Sequence, residues 1–84
     1  MNLVFAPQAW EDYLFWQRTD LKILLRIHEL IRDILRHPTT GIGKPERLRF
    51  PLQGFRSRRI TLEHRIVYSI SKDAISIAQL RYHY

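Results

Sequence analysis

Glu46, Arg59, Arg65 and His83 supply a carboxylate, two guanidinium groups and an imidazole, spread over the second half of the chain. Gathered on one surface, these groups are the parts needed to cleave RNA without a metal ion. The nucleophile would be a ribose 2′-hydroxyl attacking its own 3′-phosphate. A base removes the hydroxyl proton, cations stabilise the charge gathering on phosphorus, and an acid protonates the departing 5′-oxygen. The products would be a 2′,3′-cyclic phosphate and a 5′-hydroxyl. Glu46 suits the base, because Lys44 and Arg47 flank it and favour its ionised form. Imidazole exchanges a proton near neutrality, which suits His83 to the acid. Arg65, seconded by Arg59, suits the phosphate clamp, because a guanidinium fork meets phosphate oxygens in pairs. Each residue also has a plainer reading: a solvated loop acid, two surface strand cations, and a surface histidine on a last strand.

The charge distribution agrees with an anionic partner. The 84 residues carry 14 Lys and Arg against 8 Asp and Glu, a net charge of +6. Through Gly43 acids and bases balance; from Lys44 onward nine bases face only Glu46, Glu63 and Asp73. Nucleic acid is the leading partner, and an acidic protein is second. With no Cys the chain has neither disulfides nor a thiolate zinc site, and no metal or other cofactor is expected. The apolar start, Met1 to Phe5, is too short for a signal peptide or a membrane span, so a cytoplasmic protein with no membrane contact is the default expectation. This length suits one domain, residues 1–84, and any site must be built on that one scaffold.

The elements that must position these groups follow from periodicity. Leu3-Val4-Phe5 reads as a brief strand leading into a helix that starts at Pro7. Trp10, Tyr13, Leu14 and Gln17 recur at helical spacing and read as its core stripe, with Phe15 and Trp16 extending the aromatic side and Glu11 and Asp12 near the first turn, where the helix dipole favours acids. Thr19-Asp20 caps a second helix whose apolar face holds Ile23, Ile27, Leu30, Ile31 and Ile34. That helix closes at His37-Pro38, with His37 as a C-terminal cap cation, and His28 reads as a partly exposed helix histidine. The segment 39–45 is a shaped loop with two glycines, and Glu46 is read as a loop carboxylate. Leu48–Phe50, Phe55–Thr61, Arg65–Ser71 and Ala74–Leu80 read as antiparallel strands. The expected fold is therefore α+β: a short N-terminal strand, two helices, then an antiparallel β-meander with the helices packed on one face. Strand alternation turns Ser57, Arg59, Arg65, Arg81 and His83 to the open face, but it also aims Arg56 and Arg58 toward the helices.

Recognition adds what spacing cannot. Trp10 with Asp12-Tyr13, the run Gly41 to Glu46 (GIGKPE), Gly54-Phe55, Ser57 to Thr61 (SRRIT), Glu63-His64-Arg65, Val67-Tyr68 and the ending Arg81 to Tyr84 (RYHY) resemble, over the full length, the YoeB branch of the RelE-type toxins of bacterial toxin–antitoxin pairs. The resemblance implies the RelE/YoeB-like microbial RNase fold and an endonuclease that cuts mRNA in the A site of the 70S ribosome. It also implies an antitoxin, YefM-like and acidic, and leaves a homodimer open. It implies Glu46 as general base, Arg65 as phosphate stabiliser, His83 as general acid and Tyr84 as an aromatic that positions substrate. Arg59 and Glu63 fall around the same site, and Lys44, Arg47 and Arg49 would face RNA. Arg56 departs from the pattern, since that position is commonly Trp in the family. The competing class is a non-catalytic basic module that binds nucleic acid or an antitoxin.

Overall fold

Asp20 decides how the helical half is laid out. Its backbone N–H closes the first helix on the Trp16 carbonyl at 2.9 Å, while its side chain caps the next by accepting the Ile23 N–H at 3.2 Å. One residue thus ends α1 (Pro7–Thr19) and starts α2 (Leu21–Arg36), satisfying orphan backbone groups of both. The computed structural model describes residues 1–83; Tyr84 lies outside them. None of its helices is long and apolar enough to cross a membrane.

The strands are β1 (Asn2–Phe5), β2 (Glu46–Arg47), β3 (Arg56–Arg59), β4 (Arg65–Ile70) and β5 (Ala74–Gln79), in the sheet order β1-β5-β4-β3-β2. The last four form an antiparallel series, and β1 adds to its edge parallel to β5. A parallel neighbour needs a long crossover, and the α1–α2 pair is part of the chain between β1 and β5. Leu24, Ile27, Leu30, Ile31 and Ile34 of α2 and Ala9 and Trp16 of α1 bury against Ile60, Ile66, Tyr68, Ile75, Ile77 and Leu80. The helices cover one face of the sheet, as an α+β layer pair requires.

Three expectations are corrected. The buried residues of α1 are Ala9, Asp12 and Trp16; of the expected stripe Tyr13 packs partly buried against the core, while Trp10 is 49% exposed and stacks on Tyr13 at 5.7 Å between ring centres. Both sets fit a helical period, and only a buried partner for Asp12 tells them apart. Asp12 accordingly is not a dipole acid at the helix start. Leu48–Phe50 is not a strand. Leu48 donates once to the Phe55 carbonyl (3.0 Å), then Leu52 N–H bonds the Arg49 carbonyl (2.8 Å) and the chain turns before Pro51 could break a ladder. Glu46, expected on a loop, sits instead in the two-residue edge strand β2.

Candidate active site

Arg58 is the residue on which the Glu46 side of the site is built. It is fully buried, in the register that points toward the helices. Its five N–H groups all find acceptors. Nε donates to the Tyr68 hydroxyl (3.1 Å), one terminal nitrogen to Asp33 Oδ2 (2.6 Å) and the Ile42 carbonyl (3.1 Å), and the other to the carbonyls of His37 (2.6 Å) and Thr40 (2.8 Å). A buried cation is tolerated only when paired and hydrogen-bonded in this way. The last carbonyls of α2 and the loop after it are thereby tied to β3. His37, expected as a cap cation, contributes its carbonyl to Arg58.

Asp33 completes the tie by accepting the Ile42 N–H at 3.0 Å. That bond first, and the Arg58 guanidinium second, hold its carboxyl below the ordinary carboxylate range. Gly41 is required here: its φ is +120°, and a Cβ would stand 2.0 Å from Asp33 Oδ2. Past it, the Gly43 carbonyl accepts the Arg59 N–H at 2.7 Å, and Lys44 bends at φ +53° into β2. Glu46 then pairs with Ser57 across the ladder.

Alternation along β2, β3 and β4 sets Glu46, Ser57, Arg59 and Arg65 on the face away from the helices. Arg65 is 8% exposed, held from below by the Ser57 hydroxyl at 3.1 Å. Its guanidinium reaches Glu46 Oε1 at 3.3 Å on one side and His83 Nε2 at 3.4 Å on the other. Arg59 stands opposite Arg65 in the register. The exposed Glu46 and His83 thus flank a buried guanidinium, the kind of group that meets phosphate oxygens in pairs.

His83 arrives by a different route. The chain leaves β5 at Leu80, whose N–H donates to Asp12 Oδ2 (3.0 Å) and whose carbonyl accepts from Trp16 Nε1 (2.9 Å). Gln8 secures the other Asp12 oxygen at 2.8 Å. Arg81 lays its guanidinium 3.5 Å from the centre of the Phe15 ring instead of projecting from the open face, and Tyr82 turns with φ +66°. Strand alternation therefore does not extend to the tail: Arg81, expected on the open face, lies over Phe15, and the next residue, Tyr82, is 59% exposed.

The remaining candidates scatter. Glu63 is exposed in the β3–β4 turn, its N–H bonded to Thr61 Oγ1. Arg47 pairs with Arg56 in the register that faces the helix side, so it points away from Glu46. With Arg49, Phe50 and Phe55 these two line a separate groove of about 1030 Å³ beyond the end of α2. Arg56, where the family commonly has Trp, is its third arginine. Tyr84 lies outside the described residues. Sequence reasoning assigned no function to Arg58, Asp12, Trp16, Ser57 and His64. Only Arg58 left a signal, as a strand cation on the wrong parity.

This arrangement of helices, sheet and basic face has close structural relatives. The YoeB/ParE toxin from Agrobacterium tumefaciens matches with a TM-score of 0.97 at 46% identity over the whole of both chains. In the heterotetrameric YoeB-YefM toxin-antitoxin complex from Staphylococcus aureus, a chain matches at 0.92 and 47% identity, covering 100% of this chain and 98% of that one. The fold is thus that of small bacterial toxins. The family model for the "YoeB-like toxin of bacterial type II toxin-antitoxin system" matches residues 5–84, and Toxin YoeB of Escherichia coli (strain K12) is 52% identical over all 84 residues of both. The chain belongs to the YoeB toxin family of type II toxin–antitoxin systems.

Proposed function

We propose that residues 1–84 act as a single toxin domain that cuts mRNA in the ribosomal A site and so stops translation. The observation that carries this reading is the position of Arg65, within reach of Glu46 at 3.3 Å and of His83 at 3.4 Å. A scissile phosphate seated on Arg65 would lie between a carboxylate and an imidazole. Glu46 takes the proton of the 2′-hydroxyl as O2′ bonds to phosphorus; the P–O5′ bond breaks, and His83 in its imidazolium form returns a proton to O5′. Arg65 and Arg59 hold the phosphate oxygens as the charge on them grows. The products are a 2′,3′-cyclic phosphate and a 5′-hydroxyl. Tyr84 positions substrate beside His83. Lys44, beside Glu46, and Glu63, in the turn before Arg65, border the RNA path, and Arg47 and Arg49 meet RNA from the groove side.

The toxin acts in the cytoplasm, where message and 70S ribosomes are found. Its neutralising partner is an antitoxin of the YefM kind, the partner bound by the S. aureus relative. Nine bases against three acids after Gly43 suit an acidic segment laid over the Arg59, Arg65 and His83 face. The test is to induce the wild type and His83→Gln in cells and map message 5′ ends against ribosome position. Growth arrest with in-frame cuts from the wild type, both lost in the variant, is the expected result. Cuts of equal strength from both would overturn the reading and leave a basic binding module.

A further inference from the structure

We propose that His64 is the positioning residue for His83, holding the tail in the one backbone turn that brings the acid to Arg65. The inference rests on the reading of His83 as the acid. Asp12 and Trp16 grip the chain at Leu80 only, three residues short of His83. The decisive turn comes later, at Tyr82, whose φ of +66° lies in the left-handed region that a bulky aromatic residue rarely adopts. Nothing in the side chain of Tyr82 favours that conformation, so neighbours must impose it.

Two neighbours do so, and they are consecutive. The Tyr82 N–H donates to His64 Nδ1 at 2.8 Å, and the Tyr82 carbonyl accepts the Arg65 N–H at 3.0 Å. Any residue at 65 would give the second bond, but the first depends on the side chain at 64. Because a backbone N–H only donates, Nδ1 must be an unprotonated acceptor, which fixes the ring proton on Nε2. The ring is itself set in place. His64 N–H bonds Thr61 Oγ1 (3.1 Å), and its carbonyl accepts from Ile60 (2.9 Å) and Thr61 (3.1 Å). Trp16 meets the ring edge to face at 4.8 Å, so the indole that holds Leu80 also braces the imidazole that holds Tyr82. The reversal at Tyr82 carries His83 back over β4, where Nε2 lies 3.4 Å from Arg65 Nε. Released to an ordinary negative φ, the chain would carry the imidazole away from Arg65.

Asn places an acceptor oxygen at the same bond distance from Cβ as Nδ1, so His64→Asn is the conservative variant and His64→Ala the deletion. Tyr82→Pro attacks the same bond from the exposed side, removing the donor and fixing φ near −65° without touching the core. The experiment measures single-turnover cleavage on programmed ribosomes at rising toxin concentration, and hydrogen exchange at the Tyr82 amide of each free toxin except Tyr82→Pro. His64→Ala and Tyr82→Pro should cleave roughly a hundredfold more slowly at saturation, with an unchanged half-saturating concentration, as expected for an acid displaced by about an ångström. His64→Asn should stay within about tenfold of wild type and keep its Tyr82 amide protected, whereas His64→Ala should lose that protection. Full-rate cleavage by Tyr82→Pro, or equal impairment of His64→Asn and a folded His64→Ala, would overturn the proposal. If His64→Ala does not fold, Tyr82→Pro and His64→Asn decide between the same two results. His83→Gln separates the levels: its full activity breaks the reading of His83 as acid, whereas its inactivity beside full-rate His64→Ala and Tyr82→Pro breaks only the role of His64.

Discussion

Glu46 and His83 face the same guanidinium but are delivered to it by opposite kinds of structure. The Glu46 side hangs on a buried cation: Arg58 spends all five donors on a carboxylate, a phenol and three carbonyls, and the loop it ties cannot shift without stranding them. The His83 side hangs on hydrogen bonds strung along the tail, from Asp12 and Trp16 to Leu80 and from His64 and the Arg65 N–H to Tyr82. The first arrangement makes the site and the fold one cooperative unit. The second lets His83 be displaced while the fold stands. The tail can therefore be displaced with little cost in stability, whereas the loop that presents Glu46 cannot.

The contrast breaks first at Arg58. Arg58→Met leaves Asp33, the Tyr68 hydroxyl and the carbonyls of His37, Thr40 and Ile42 without their shared donor, so five hydrogen bonds are lost in one substitution. The expected outcome is a protein largely unfolded or melting far lower in calorimetry, inactive for that reason. His83→Gln and Glu46→Gln should show the reverse pattern, losing about 10²–10⁴-fold in single-turnover cleavage with a melting temperature close to wild type. If Arg58→Met kept its melting temperature, the loop would not depend on the buried network. If His83→Gln lowered the melting temperature as strongly, the tail would belong to the core.

The same contrast explains what could be read in the sequence. Helix α2 was legible because Ile27, Leu30, Ile31 and Ile34 repeat at 3.6 residues, and burial follows that period. The Arg59 and Arg65 face was legible because strand alternation has a period of two and their strands are paired in register, whereas the two-residue strand that carries Glu46 is too short to leave a period. Asp12 was misread because a carboxylate on a helix looks solvent-facing until the backbone N–H it serves, 68 residues away at Leu80, is known. Arg58 looked like an error of parity for a related reason, since its acceptors are the ends of another element. Arg47 was grouped with Glu46 by sequence adjacency, but adjacent residues in a strand face opposite ways. His64 carried a resemblance but no geometry, because its partner is a peptide N–H in a turn that no pattern at Tyr82 announces.

Trp16 sharpens the comparison at a smaller scale. Trp16→Phe keeps most of the buried ring but removes the indole N–H, leaving the Leu80 carbonyl without that donor. A buried acceptor stranded in this way costs about 1–3 kcal/mol. Stability should fall by that amount in denaturant titration, and cleavage should fall further than it does for an equally destabilising change in α2 such as Ile27→Val, which leaves the tail grip intact. Equal losses of cleavage at matched stability would mean that Leu80 need not be held for His83 to work.

The smallest effect belongs to Asp33 and reports on the loop side alone. Its carboxyl is held below the ordinary value of 3.8 by the Ile42 N–H first and Arg58 second. A carboxylate whose folded value is depressed stabilises the fold fully above the unfolded value and loses that contribution as pH falls through the folded one. Stability attributable to Asp33 should therefore be flat from neutrality down to about pH 4–5 and decline below it, because the unfolded chain then binds the proton more readily. Asp33→Asn should begin less stable at neutral pH, since a neutral amide pairs less well with Arg58, and should show a shallower decline below pH 4. Urea titrations at pH 7, 5, 4 and 3 on both proteins measure the difference in slope. Parallel acid limbs would mean that the Arg58 network does not depend on the charge of Asp33, and that its backbone carbonyls alone suffice to hold the loop that presents Glu46.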